Sequence, residues 1–174
     1  MHSGTVINFA LALARVWLGI MIFAHGWRHL KAVRSGPGIA NWFESLGLKY
    51  GPFQAWNVTL TELAVGVILI LGFLTPIAYG ALASLLLVAA VTNHRKSGFF
   101  INNTPEGWEY VVTVAIISFA LAPLGPGKWS LDHAFSLAFP FKPGTALAIA
   151  LILGIGGSAV FLATFWRPPK TVSA

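Results

Sequence analysis

The sequence predicts an all-α membrane protein, a polytopic bundle of helices that cross a lipid bilayer. Of the 174 residues, 56% are hydrophobic and only 9% are charged, whereas a soluble domain carries about 25% charged residues. The apolar residues also gather into runs that approach the length of about 20 residues needed by a spanning helix. We therefore expect a single membrane domain over residues 1–174, with no soluble domain attached.

Five apolar runs predict five spanning helices. They cover residues 5–25, 55–73, 77–93, 108–124 and 145–165. Gly72 and Pro76 predict a tight turn between the second and third spans, and Pro123 breaks the fourth. The first run has no Lys or Arg before it, unlike a cleaved signal peptide, so we expect it to remain as a span. Residues 36–48 carry apolar side chains at helical spacing, which predicts a short helix lying in the membrane interface.

The basic residues predict how the bundle is oriented. With five spans, eight of them fall on one side: Arg28, Lys31, Arg34, Lys49, Arg95, Lys96, Arg167 and Lys170. Only Lys128 and Lys142 fall on the other side. Because basic loops stay in the cytoplasm, we predict a multi-pass cell-membrane protein with its N-terminus outside and its C-terminus in the cytoplasm. The net charge of +6 then reflects orientation and anionic lipid headgroups, and we expect no nucleic-acid partner.

Ionisable side chains within or at the ends of the predicted spans are the candidate functional residues, since each costs about 2.5–3.5 kcal/mol at the bilayer centre and normally has a partner. The candidates for a pocket or a quinone site are Arg15, His25, Glu62, His94 and Glu109. Four of them come from four different helices at one depth near the cytoplasmic face, and Arg15 can approach Glu62. We therefore predict a polar pocket at that depth.

Each candidate also has a purely structural interpretation. Arg15 and Glu62 can form a clamp that fixes helix register, the histidines can be ordinary interface residues, and Glu109 suits the positive end of its helix. A metal site of His25, His94, Glu62 and Glu109 is chemically conceivable, but the chain has no tight ligand motif. The absence of cysteine excludes disulfides and iron–sulfur clusters, and no flavin or nicotinamide motif is present.

The order and spacing of these motifs resemble the DoxX family of small membrane proteins, over about residues 10–133. The matching features are Arg15 with Gly19, His25-Gly26, Leu46-Gly47-Leu48, Glu62, Leu71 to Thr75, Asn93-His94, Gly98-Phe99-Phe100, Glu109 and Ser130-Leu131-Asp132. The family typically has four spans. The resemblance therefore implies a four-helix DoxX-like core, to which this chain adds a fifth transmembrane helix at residues 145–165.

The resemblance also implies association with membrane oxidoreductases, because family members are described as subunits of quinol or thiosulfate:quinone oxidoreductases. We expect a subunit of such a complex, not a complete enzyme, with quinone as a possible ligand and no covalently bound cofactor. The expected partners are the lipid bilayer and either another protein or a second copy of this chain. Two alternatives stay open: a non-enzymatic anchor or assembly factor for a redox or detoxification partner, and a small transporter or lipid-handling protein.

Overall fold

Helices account for all the regular structure in the part of the chain that the structure, a computed structural model, describes: residues 3–136 and 142–169. The α-helices are α1 (Ser3–Ser35), α2 (Gly38–Ser45), α3 (Gly51–Leu71), α4 (Thr75–Ala89), α5 (Glu109–Leu121), α6 (Leu131–Ala134), α7 (Pro143–Leu151) and α8 (Gly157–Phe165). Two π-helical stretches, Ala90–His94 and Ile152–Gly156, extend α4 and join α7 to α8. Short 3₁₀ turns, Arg95–Ser97 and Ala122–Leu124, follow α4 and α5.

Four helical segments are long and apolar enough to cross a membrane: Gly4–Ser35, Gly51–Leu71, Thr75–Ser97 and Pro143–Phe165. The apolar helix Glu109–Leu124 is shorter, at about 24 Å from end to end. The prediction of an all-helical, polytopic membrane bundle is therefore confirmed. That the shorter helix crosses the bilayer as the fourth span stays a prediction.

The first helix is longer than its apolar run. α1 continues to Ser35, well beyond residue 25, because Arg28, Lys31 and Arg34 are good helix formers and no proline occurs before Pro37. His25 therefore lies inside the helix and not at its end. The interfacial segment contains α2, whose Ala40 and Phe43 are buried against the bundle.

Glycines bring α1 and α3 into close antiparallel contact. A Cβ atom added to Gly66 would lie 2.7 Å from the Cβ of Phe23, and one on Gly19 would lie 2.8 Å from the carbonyl oxygen of Gly66. Gly26 faces Glu62 in the same way, at 3.0 Å. Small residues permit such close approach between helices in lipid, where packing drives association. This contact fixes which residues of α1 and α3 share a depth.

The last span is an integral part of the bundle. Gly80 of α4 packs against Ala150 of α7. Beyond α8 the chain returns to the loop between α2 and α3, where the backbone N–H of Arg167 donates to the carbonyl of Gly47 at 2.8 Å. The indole of Trp166 also donates into this loop. We call this set of bonds the C-terminal tie.

Candidate functional site

A cavity of about 740 Å³ lies at the end of the bundle where α3 begins and α4 ends. Its size is within the range of about 300–1,000 Å³ found for small-molecule sites. Helices α1 to α5 and the last span all contribute to its mostly apolar wall. The polar lining residues are His25, His29, Asn57, Thr61, Glu62, Ser84, Thr92, Asn93, His94, Glu106 and Tyr110. Such a pocket, apolar with a few convergent polar groups, is the usual form of a ligand site.

A histidine–glutamate pair joins α1 to α3 in the cavity wall. The Nδ1 atom of His29 lies 2.7 Å from Oε2 of Glu62, and Glu62 is only 7% exposed. The close contact of Gly26 with α3 brings the two side chains to the same depth. An imidazole and a carboxylate at this distance can hold a proton between them. The pair can therefore give a proton to a bound ligand or take one from it.

His94 is held by its neighbours on both sides of the ring. Its Nδ1 lies 2.9 Å from the carbonyl oxygen of Glu106, so this nitrogen donates. Its Nε2 lies 3.2 Å from the amide nitrogen of Asn93 and accepts from it. With both nitrogens engaged, His94 ties the loop before α5 to the end of α4. His94 lines the cavity, but both of its ring nitrogens are used to hold this loop in place.

His25 lies one turn before His29 on the same face of α1 and lines the cavity. It is exposed, and its ring makes no hydrogen bond to any residue of the described part of the chain. Asn57 and Thr61 face the same space from α3. These three side chains are the polar groups best able to bind a ligand directly.

Arg15 lies outside this cavity, at the other end of α3. It is 1% exposed, and its guanidinium donates to the carbonyl oxygens of Leu69 and Ile70, and at 2.7 Å to that of Trp129. The last carbonyls of a helix have no partner within the helix, and Arg15 supplies one. Leu69 lies two turns from Glu62, about 10 Å along the axis, so Arg15 and Glu62 do not pair. The expected approach of these two side chains is thus wrong, because the glycine contacts set a different register.

The turn between α3 and α4 packs directly against the guanidinium of Arg15. Gly72 has a positive φ of 70°, and a Cβ there would lie 2.6 Å from a guanidinium nitrogen of Arg15. The carboxylate of Asp132 accepts from the backbone N–H of Leu74 at 3.0 Å. These contacts fasten α1, the α3–α4 turn and α6 together, which indicates a structural role for Arg15.

The structure thus brings three of the five sequence candidates to one cavity: His25, Glu62 and His94. Glu109 is not among the lining residues, and its carboxylate accepts from the backbone N–H of Ile101 at 3.1 Å. Among the described residues, no three His, Cys, Asp or Glu side chains form a group that could hold a metal ion.

Sequence reasoning passed over three residues that line the cavity. They are His29, Asn57 and Thr61, none of which is among the five candidates. The signal was present in α3, where Asn57 and Thr61 are four residues apart and so share one face of the helix, with Glu62 directly beside Thr61. Polar side chains on one face of an apolar helix indicate a face turned toward protein or a cavity.

The model of the DoxX family matches residues 10–95, a range that holds most of α1 and all of α2, α3 and α4 with its π-helical extension. The helices α5 to α8 lie beyond that match. No curated protein and no solved structure matches the chain.

Proposed function

Because this chain is a DoxX family membrane protein, matched over residues 10–95, we propose that it binds a quinone as the membrane subunit of a quinone-linked oxidoreductase complex. The observation that carries the proposal is the 740 Å³ cavity whose polar end holds the His29–Glu62 pair. The cavity opens among helices that a membrane surrounds, which is where quinones are dissolved. An apolar wall with few polar groups suits such a ligand.

The polar end offers what a quinone headgroup needs. The headgroup is a flat apolar ring with two carbonyl oxygens that accept hydrogen bonds. Trp42 and Phe43 of α2 supply apolar wall. His25, Asn57 and Thr61 supply donors to a ring oxygen.

The His29–Glu62 pair would transfer the protons that accompany reduction of the quinone. A quinone becomes a quinol by taking up two electrons and two protons. The electrons would come from a partner oxidoreductase, and the pair would pass protons between the ring oxygen and the aqueous phase. Histidine suits this role because it can accept and release a proton near neutral pH.

In the proposed orientation, the cavity end of the bundle lies on the cytoplasmic side of the cell membrane. Basic residues collect at the cavity end of the bundle, among them Arg28, Lys31, Arg95 and Lys96, and by the positive-inside rule this end faces the cytoplasm. A phosphatase or fluorescent protein fused to the C-terminus tests this. Phosphatase activity would place the C-terminus outside and contradict the orientation, whereas fluorescence would support it.

The test of quinone binding uses the purified chain in detergent and a short-chain benzoquinone. The double variant His25→Leu, Glu62→Gln removes a free donor and the carboxylate while keeping the shape of residue 62. Each lost hydrogen bond is worth about 0.5–3 kcal/mol, the larger figure applying to a charged group. We therefore expect the dissociation constant to rise by about tenfold or more.

The matched control is the double variant His133→Leu, Glu109→Gln. It removes the same two kinds of group outside the cavity, since His133 is an exposed residue of α6 and Glu109 accepts a hydrogen bond from the loop before α5. Its affinity should equal that of the wild type. Equal affinity of the cavity variant and the wild type would refute the proposed site. A partner protein that copurifies with a chain that binds no quinone would favour the membrane-anchor alternative.

A further inference from the structure

The cavity extends beyond its polar end along one face of α4. Seven α4 residues line it, and six of them lie on one side of the helix: Ile77, Ala81, Ser84, Leu85, Val88 and Ala89. The seventh, Leu86, lies outside this face. Ile77 and Ala89 are about 18 Å apart at 1.5 Å per residue. The helix α3 lines the cavity only from Asn57 to Glu62. One end of the space is therefore polar, and the rest is a long extension beside α4.

This extension, which we call the apolar arm, is lined by Ile77, Ala81, Ser84 and Leu85 of α4 and by Leu153 of the last span. Ser84 is its only polar side chain, and no charged residue lies along it. A polar ligand group would leave water there without gaining partners, which is costly. Ile77 and Leu153 are 40% and 38% exposed, so the arm is open on the side that the membrane covers.

We propose that the apolar arm holds the hydrocarbon tail of the ligand while the polar end holds its head. The substrate class of the site is then a tailed amphiphile that enters sideways from the bilayer. This inference rests on the proposed function and deepens it. The two parts form one continuous cavity, so a ligand with its head near His29 and Glu62 can extend only an apolar group along α4.

How closely the walls of the apolar arm fit around the tail should determine the affinity for a tailed ligand. A hydrocarbon chain dissolved in lipid is already out of water, so entering the arm gains little from the hydrophobic effect. The gain comes from contacts with the walls on both sides of the arm. A bulky side chain in the arm should therefore reject the tail and leave the binding of the head unchanged.

The experiment compares two probes and two variants in one detergent. The probes are a benzoquinone with a decyl tail and the same benzoquinone with a methyl group in its place. Ala81→Phe fills the arm, whereas the control Ala120→Phe adds the same ring at an exposed position of α5 outside the cavity. We expect Ala81→Phe to weaken the decyl probe about tenfold or more and the methyl probe by less than about twofold. Ala120→Phe should change neither.

A second variant guards against misfolding of the first. Leu153→Trp narrows the arm from the opposite wall and should give the same selective loss. Equal effects of both arm variants on the two probes, or no effect on either, would overturn the tail assignment and leave the proposed function standing. Failure of the wild type to bind either probe would instead reject the proposed function, and the tail assignment with it.

Discussion

Replacing Arg15 by methionine should remove much of the stability of the bundle. Its buried guanidinium donates to the carbonyl oxygens of Leu69, Ile70 and Trp129. Leu69 keeps a second donor, the backbone N–H of Gly72 at 3.2 Å. Ile70 and Trp129 lose the donor that Arg15 provides. Methionine fills a similar volume but offers nothing in return.

The magnitude follows from these two carbonyls. A buried acceptor left without a partner costs about 1–3 kcal/mol, and because these two carbonyls are only partly buried, the two together should cost about 2–4 kcal/mol. Removing a buried charge offsets part of this loss, because its desolvation is no longer required. We therefore expect Arg15→Met to lower the free energy of unfolding by about 1–3 kcal/mol.

The assay is unfolding in mixed micelles of increasing SDS content, followed by tryptophan fluorescence. Arg28→Met is the matched control, because Arg28 is on the same helix but exposed. It should change the stability by no more than about 0.5 kcal/mol. An Arg15→Met protein as stable as the wild type, or an equal loss in both variants, would refute the role of Arg15 as a cap for α3.

Three further substitutions test the packing of the helices and the ties between them, in the same SDS titration. Gly66→Ala places a methyl group against α1 at 2.7 Å and should lower the free energy of unfolding by about 1–3 kcal/mol. The control Gly156→Ala, which has open space around it, should cost at most about 0.5 kcal/mol. Equal losses in the two variants would contradict the close contact between α1 and α3. Asp132→Ala removes the acceptor for a partly buried backbone N–H of the α3–α4 turn and should cost about 1–2 kcal/mol. His133→Ala, at the neighbouring exposed position, should be neutral. Trp166→Phe removes the indole N–H from the C-terminal tie and should cost about 1 kcal/mol; a stability equal to wild type would mean that this bond contributes nothing.

The fold could be predicted because it depends on composition and on long apolar runs, which are visible without any contact information. The length of α1 could not, since Arg28, Lys31 and Arg34 mark the end of the apolar run without ending the helix. A helix continues past the membrane as long as its residues are good helix formers and no proline intervenes. Hydropathy therefore predicted the part of α1 that lies in the membrane and missed the extension of the helix beyond it.

The candidate site was predictable only in part. His25 and Glu62 could be placed near one another from the antiparallel course of α1 and α3. The register between these helices is set by Gly19, Gly26 and Gly66, and such glycines give no hydropathy signal. Arg15 was hardest to place, because its partners are backbone carbonyls, which any sequence provides.

The C-terminal tie has a consequence for how the protein is made. Leu153 and Phe161, which complete the cavity wall, follow every other lining residue in the chain and therefore leave the ribosome after them. A nascent chain with its first helices already inserted still presents an open groove to the lipid. The groove closes when the span Pro143–Phe165 docks, fastened by the bond between Arg167 and Gly47.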